Sequence, residues 1–132
     1  MCTHTKNHKT LVILGSTGSI GTQALQVAEC AGYRIVGLAA AHNVDMMEQQ
    51  IRQYRPEIAV MYDECAAAQL RERVADVPVL VLGGMQGLCE AASWHDADMV
   101  LNAVVGMVGL RPTLAAIEAG HDVALANKET LG

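Results

Sequence analysis

Short, nearly continuous apolar runs alternate with longer amphipathic stretches along this chain. TLVIL at Thr10–Leu14 has the length and composition of a strand buried on both faces, and Gly15 closes it. Gly18 to Ala31 reads as a helix with Ile20, Ala24, Val27 and Ala28 on its apolar face. Gly32 stands just past its end, where a left-handed residue is wanted. YRIVGLAA at Tyr33–Ala40 is a second strand. Asn43 suits the cap of a helix from Val44 to about Tyr54, which Pro56 stops. IAVM at Ile58–Met61 is a third strand, and Asp63 caps a helix to about Val74. VLVL at Val79–Leu82 is a fourth strand, closed by Gly83 and Gly84. Gln86–Ser93 predicts a short helix, WHDAD a turn, and MVLNAV at Met99–Val104 a fifth strand. Pro112 suits the first turn of a helix that ends at Gly120, and VALA at Val123–Ala126 is a sixth strand.

Strands without hydrophobic–polar alternation, each followed by a helix, imply a parallel sheet covered on both faces. Right-handed crossovers then make it a doubly wound α/β fold of the Rossmann-like kind. No repeat or low-complexity tract interrupts the pattern. The 132 residues suit one domain, expected over 10–132 behind a polar tail at 1–9. Because Gly132 falls one turn into what reads as a further helix, the chain is expected to be part of a longer protein.

The first βα turn carries the chemistry. Gly15-Ser16-Thr17-Gly18-Ser19-Ile20-Gly21 follows the first strand and opens the first helix, spaced G-x-x-G-x-x-G. Gly15 permits a tight turn, Gly18 removes a Cβ where a pyrophosphate approaches the backbone, and Gly21 allows close helix packing. Free N–H groups and the positive end of the helix dipole favour a phosphate there. The hydroxyls of Ser16, Thr17 and Ser19 add donors.

The end of the second strand bears on the choice of cofactor. Sites specific for NAD place Asp or Glu there to hold the ribose 2′-hydroxyl. Here Leu38-Ala39-Ala40-Ala41-His42-Asn43 contains no acid before Asp45, which permits a 2′-phosphate. His42 and Asn43 can donate to it; the alternative is that His42 is a surface loop residue. Ala103-Val104-Val105-Gly106 leaves room for a nicotinamide ring at the end of the fifth strand. Asn127-Lys128-Glu129 places three polar side chains directly after the sixth.

Composition narrows the partners. Hydrophobic residues make up 52% of the chain, enough for a core, and 14 acidic against 9 basic residues argue against nucleic acid. One Trp, three Tyr and no Phe leave little for base stacking. No apolar run is long enough for a leader or a membrane span, so a cytoplasmic location is expected. Cys2, Cys30, Cys65 and Cys89 form no C-x-x-C pair and read as reduced residues. His4 and His8 read as part of a solvated tail, and Asp96 and Asp98 as surface loop residues.

With ILGSTGSIG at 13–21, NAVVGMVGLRPTLAAIEAG at 102–120 and LANKETL at 125–131, the chain resembles the NADPH-binding domain of the 1-deoxy-D-xylulose 5-phosphate reductoisomerases. The resemblance covers nearly everything after the first ten residues. It implies an NADPH-dependent oxidoreductase and isomerase of the non-mevalonate route to isoprenoids, forming 2-C-methyl-D-erythritol 4-phosphate. It also implies that Thr17, Gly18, Ser19 and Ile20 meet the cofactor phosphates and that Ala41, His42 and Asn43 meet the adenosine side. Asn127 and Glu129 would meet the nicotinamide side, and Lys128 the phosphorylated sugar. Ala41 stands where relatives often carry glycine. A homodimeric parent is implied, with Mg²⁺ or Mn²⁺ held by carboxylates outside this chain, so that these residues alone would turn nothing over. Homoserine and aspartate-semialdehyde dehydrogenases have a similar architecture, but Asn127–Thr130 beside Gly106–Gly109 fits the reductoisomerases better. A nucleotide-sensing module is a further alternative, and it has no use for a substrate-facing lysine.

Overall fold

The computed structural model describes residues 9–104 and 110–125. Its elements run β1 (Thr10–Leu14), α1 (Ser19–Cys30), β2 (Arg34–Ala40), α2 (Val44–Tyr54), β3 (Ile58–Met61), α3 (Glu64–Arg73), β4 (Leu80–Gly83), α4 (Gly84–Ala92), β5 (Met99–Asn102), α5 (Leu110–Glu118) and β6 (Asp122–Leu125). The strands form one sheet in the order β4-β3-β2-β1-β5-β6. Every described pairing is parallel, as the unbroken apolar runs require.

The chain steps outward from β1 to β4, then crosses back to lay β5 on the other flank of β1. That reversal creates a crevice between the carboxyl ends of β1 and β5. The two faces of the sheet bury separate cores. Leu11, Ile13, Leu25, Ile35, Leu38, Met47, Ile51, Met61 and Leu70 pack on the α1–α3 side. Val12, Leu14, Val36, Ile58, Val60, Leu88, Val100 and Ala116 pack on the α4–α5 side. Alternate residues of β1 supply opposite cores, so all of Leu11–Leu14 is buried.

Several boundaries and one helix face differ from the sequence expectation. The buried face of α1 is Gly21, Leu25 and Ala28, with Ala24 partly buried, whereas Val27 is 68% exposed. Gly21 sets this rotation. A Cβ built on it would lie 1.9 Å from the Gly15 carbonyl oxygen, so the helix touches down there and rolls Val27 outward. The fourth strand starts at Leu80, which pairs with Ile58, and includes Gly83, which pairs with Met61. Helix α4 then starts at once on Gly84 rather than Gln86, so the glycine pair joins the two elements instead of looping between them. The fifth strand stops at Asn102, two residues early, because the Asn102 side-chain oxygen accepts the Val104 N–H and turns the chain out of the ladder. Helix α5 begins at Leu110, with Pro112 still in its first turn. The sixth strand begins at Asp122.

The amino-terminal edge of the sheet is closed by side chains. Asp98 Oδ2 accepts the Thr10 N–H at 3.0 Å and lies 3.2 Å from its hydroxyl. The Trp94 indole N–H donates to Glu57 at 2.7 Å, and Arg34 pairs with Glu57 at 3.4 Å. The described cysteines, Cys30, Cys65 and Cys89, are all free, as expected; Cys2, His4 and His8 lie outside the described residues.

Candidate functional site

The glycine turn sits at the carboxyl end of β1, the central strand at the crevice. Gly15 takes φ +90°, a left-handed conformation in which its N–H and that of Ser16 both reach the Ala39 carbonyl, at 2.7 and 2.9 Å. A Cβ on Gly15 would also press within 3.1 Å of the Ala103 backbone, so β1 and β5 close on each other there. Gly15 and Gly21 are therefore required by packing. Gly18 is not. Its φ of −77° suits any residue, and a Cβ on it would meet only the Gly15 oxygen at 3.7 Å. The absent side chain at position 18 leaves room on the solvent side, where the residue is exposed.

Gly18 is also the N-cap of α1, and no side chain caps this helix or places an acid in its first turn. The Thr17, Ser19 and Ile20 N–H groups have no acceptor among the described residues. These are the donors an anion would take, with the helix dipole behind them. The neighbouring helix starts are closed: Asn43 Oδ1 accepts the Met46 N–H at the start of α2, and Asp63 accepts from Cys65 and Ala66 at the start of α3. Ser19 is exposed and Thr17 half-buried, so their hydroxyls remain available. Ser16 differs from its expected role as a hydroxyl donor. It is fully buried and its Oγ has no partner, because the turn directs this side chain into the protein.

Ala41, His42 and Asn43 follow β2, beside the glycine turn, and all three are exposed. Two carboxylates have partners of their own. Asp45 pairs with Arg73, and Asp63 is committed to the α3 cap. The side-chain oxygen of Asn43 is used in its own cap, which leaves its NH₂ group as the free donor. Ala103 is half-buried at the mouth of the crevice, its N–H held by the Leu14 carbonyl at 2.8 Å. The structure thus brings residues 15–21, 41–43 and 103 to one edge of the sheet around β1. Asn127, Lys128 and Glu129, like Gly106–Gly109, lie outside the described residues.

Two buried polar residues near this edge had no role in the sequence reading. Gln50 of α2 is 6% exposed, and its Nε2 donates to the Ser16 carbonyl at 2.9 Å. Asn102 ends β5 and donates to Thr113 of α5 at 2.7 Å. Gln50 was legible as a polar residue on the apolar face of α2, shared with Val44, Met47 and Ile51. At the opposite edge, Glu57, His95 and Asp96 bring ligand-capable atoms within 4.8 Å of one another. His95 and Asp96 are exposed there, in keeping with a surface turn, and lie away from the crevice.

A parallel sheet with a reversal of strand order, and a glycine-opened helix start at that reversal, defines a Rossmann-like NAD(P)-binding domain. The family model of 1-deoxy-D-xylulose 5-phosphate reductoisomerase matches residues 11–131, and the chain belongs to that family. The reductoisomerase of Synechococcus sp. (strain ATCC 27144 / PCC 6301 / SAUG 1402/1) is 50% identical over 127 residues, covering 93% of this chain and 32% of that protein. That of Acaryochloris marina is 51% identical over 128 residues, with the same shares. The solved Zymomonas mobilis enzyme in complex with NADPH superposes with a TM-score of 0.85 at 37% identity, over 94% of this chain and 33% of that one. A reductoisomerase in complex with NADPH, fosmidomycin and magnesium superposes equally well, with a TM-score of 0.85 at 38% identity, over 93% of this chain and 31% of that one. The chain spans about a third of the length of the relatives it matches. No helix among the described residues is long and apolar enough to cross a membrane.

Proposed function

We propose that residues 10–132 form the NADPH-binding domain of a 1-deoxy-D-xylulose 5-phosphate reductoisomerase. The observation that carries this reading is the start of α1, where a glycine the backbone does not require leaves three donors uncovered at the crevice. Family membership supplies the rest of the argument.

In this reading the Thr17, Ser19 and Ile20 N–H groups and the Thr17 and Ser19 hydroxyls hold the pyrophosphate, with Gly18 giving it close approach. Gly15 and Gly21 shape the turn, and Ser16 contributes its backbone alone. His42 and the Asn43 amide hold the 2′-phosphate, and the engaged state of Asp45 and Asp63 keeps free carboxylates away from it. Ala41 lines the adenosine side and Ala103 leaves space for the nicotinamide. Asn127 and Glu129 orient that ring, and Lys128 binds the phosphorylated sugar. Bound NADPH supplies the hydride that reduces the rearranged aldehyde. A divalent cation, Mg²⁺ or Mn²⁺, is held by residues of the relatives' remaining length. The whole enzyme is a cytoplasmic homodimer.

Calorimetric titration with NADPH and NADH tests the cofactor assignment. Tighter binding of NADPH is expected, and equal affinities for the two would sink it. Oxidation of NADPH with 1-deoxy-D-xylulose 5-phosphate and Mn²⁺, assayed on a form carrying the remaining two thirds of the relatives' length, tests the reaction.

A further inference from the structure

We infer that Gln50 is a positioning residue for the cofactor pyrophosphate, acting through the Ser16–Thr17 peptide; this rests on the NADPH reading above. Gln50 sits on the second turn of α2, is 6% exposed, and donates through Nε2 to the Ser16 carbonyl at 2.9 Å. Its own Oε1 has no partner, and neither does Ser16 Oγ. A buried amide with half its capacity unused is costly, and a methionine or leucine would fill the same space without that cost. The useful half of the side chain is therefore its N–H.

The peptide that this N–H holds is the one that matters to a phosphate. A trans peptide is planar and points its C=O and N–H to opposite sides. Gln50 draws the Ser16 oxygen inward, so the Thr17 N–H of the same peptide turns outward, and it has no acceptor among the described residues. The Thr22 hydroxyl is a weaker second partner of that oxygen, at 3.4 Å, and its shorter bond goes to Gly18 at 2.7 Å. Without Gln50 the peptide is free to rotate and the Thr17 donor is no longer held toward the ligand. The same helix is capped by Asn43, in the loop that the NADPH reading assigns to the 2′-phosphate. One rigid element thus ties the adenosine loop to the phosphate turn, and Gln50 makes the second tie.

The test is Gln50→Met, which keeps the volume and removes the donor. NADPH and 2′-AMP, which lacks the pyrophosphate, are titrated into wild type and variant by calorimetry, at a temperature where both are folded. NADPH affinity is expected to fall about tenfold while 2′-AMP stays within about twofold, the scale of one lost charge-directed hydrogen bond. In the wild type, the Gln50 side-chain amide and the Thr17 N–H resonances should shift with NADPH and hold still with 2′-AMP. This measurement decides the matter if the variant does not fold. Equal losses for both ligands, no loss for either, or unmoved resonances overturn the inference and leave the cofactor reading standing. A wild type that binds neither nucleotide overturns the cofactor reading, and the inference with it.

Discussion

At the amino-terminal edge of the sheet, Asp98 takes up the Thr10 N–H and Trp94 donates to Glu57; at the carboxyl-terminal edge, α1 opens on Gly18 with its donors uncovered. The same strands run through both edges, yet polar groups are matched at one and left unmatched at the other. A matched edge contributes stability, since each buried or half-buried pair keeps its hydrogen bond. An unmatched edge forgoes that contribution and gains affinity for something outside the chain. Helix α4 sharpens the contrast. It also opens on a glycine without a capping side chain, but the Glu64 carboxylate lies where a Gly84 side chain would stand, against the positive end of that helix. An uncapped start becomes an anion site only where no carboxylate already faces it and the strand order makes a crevice.

The largest effect separates packing glycines from the binding glycine. Gly21→Val is expected to destabilise the fold by roughly 3 kcal/mol or more, because its Cβ would collide with the Gly15 carbonyl and neither backbone can yield. Chemical denaturation measures this, and a midpoint close to wild type would refute the packing account. Gly18→Val should leave that midpoint in place while NADPH binding falls by about a hundredfold or more, since only the ligand needs the space. Wild-type affinity in a calorimetric titration would move the phosphate site elsewhere.

A middle-sized effect belongs to the closed edge. Glu57→Ala should cost roughly 1–2 kcal/mol by orphaning the Trp94 indole N–H, with NADPH affinity unchanged. A change in affinity would show that the two edges are not independent. The same pair makes a pH prediction. The hydrogen bond from Trp94, helped by the Arg34 charge, holds the Glu57 pKa below its ordinary carboxylate value. Its stabilisation is therefore complete above that ordinary value and is lost as pH falls through the lowered one. Trp94 is the sole tryptophan, so its fluorescence follows the acid transition directly. Glu57→Gln should flatten the pH dependence of stability in that window.

Smaller effects fall on the adenosine side and on α4. His42→Asp should weaken NADPH by several-fold more than NADH, by setting a carboxylate against the 2′-phosphate. A parallel loss for both cofactors would place His42 away from that group. Glu64→Gln should cost about 0.5 kcal/mol of stability through the α3 and α4 dipoles, which its carboxylate faces together, and leave NADPH binding unchanged.

Most of the architecture was legible from residue order. Unbroken apolar runs such as TLVIL and IAVM mean strands buried on both faces, and their alternation with helices leaves a parallel sheet as the only economical packing. The glycine turn was legible for the same local reason, since its spacing and its place between strand and helix are properties of the sequence. So was the division of labour among its glycines, with Gly18 open and Gly21 pinned by packing. That Ser16 faces inward and that Val27 is exposed was not legible, because both follow from how α1 lands on the turn. Ile20, Ala24, Val27 and Ala28 are an equally good apolar stripe on paper, because helical periodicity fixes which residues share a face but not the rotation of that face against its neighbour. The strand order, the crevice beside β1, and the reach of Gln50 from α2 to a peptide 34 positions earlier are contacts between distant segments. They depend on where the helices and strands settle in three dimensions, which no local pattern encodes.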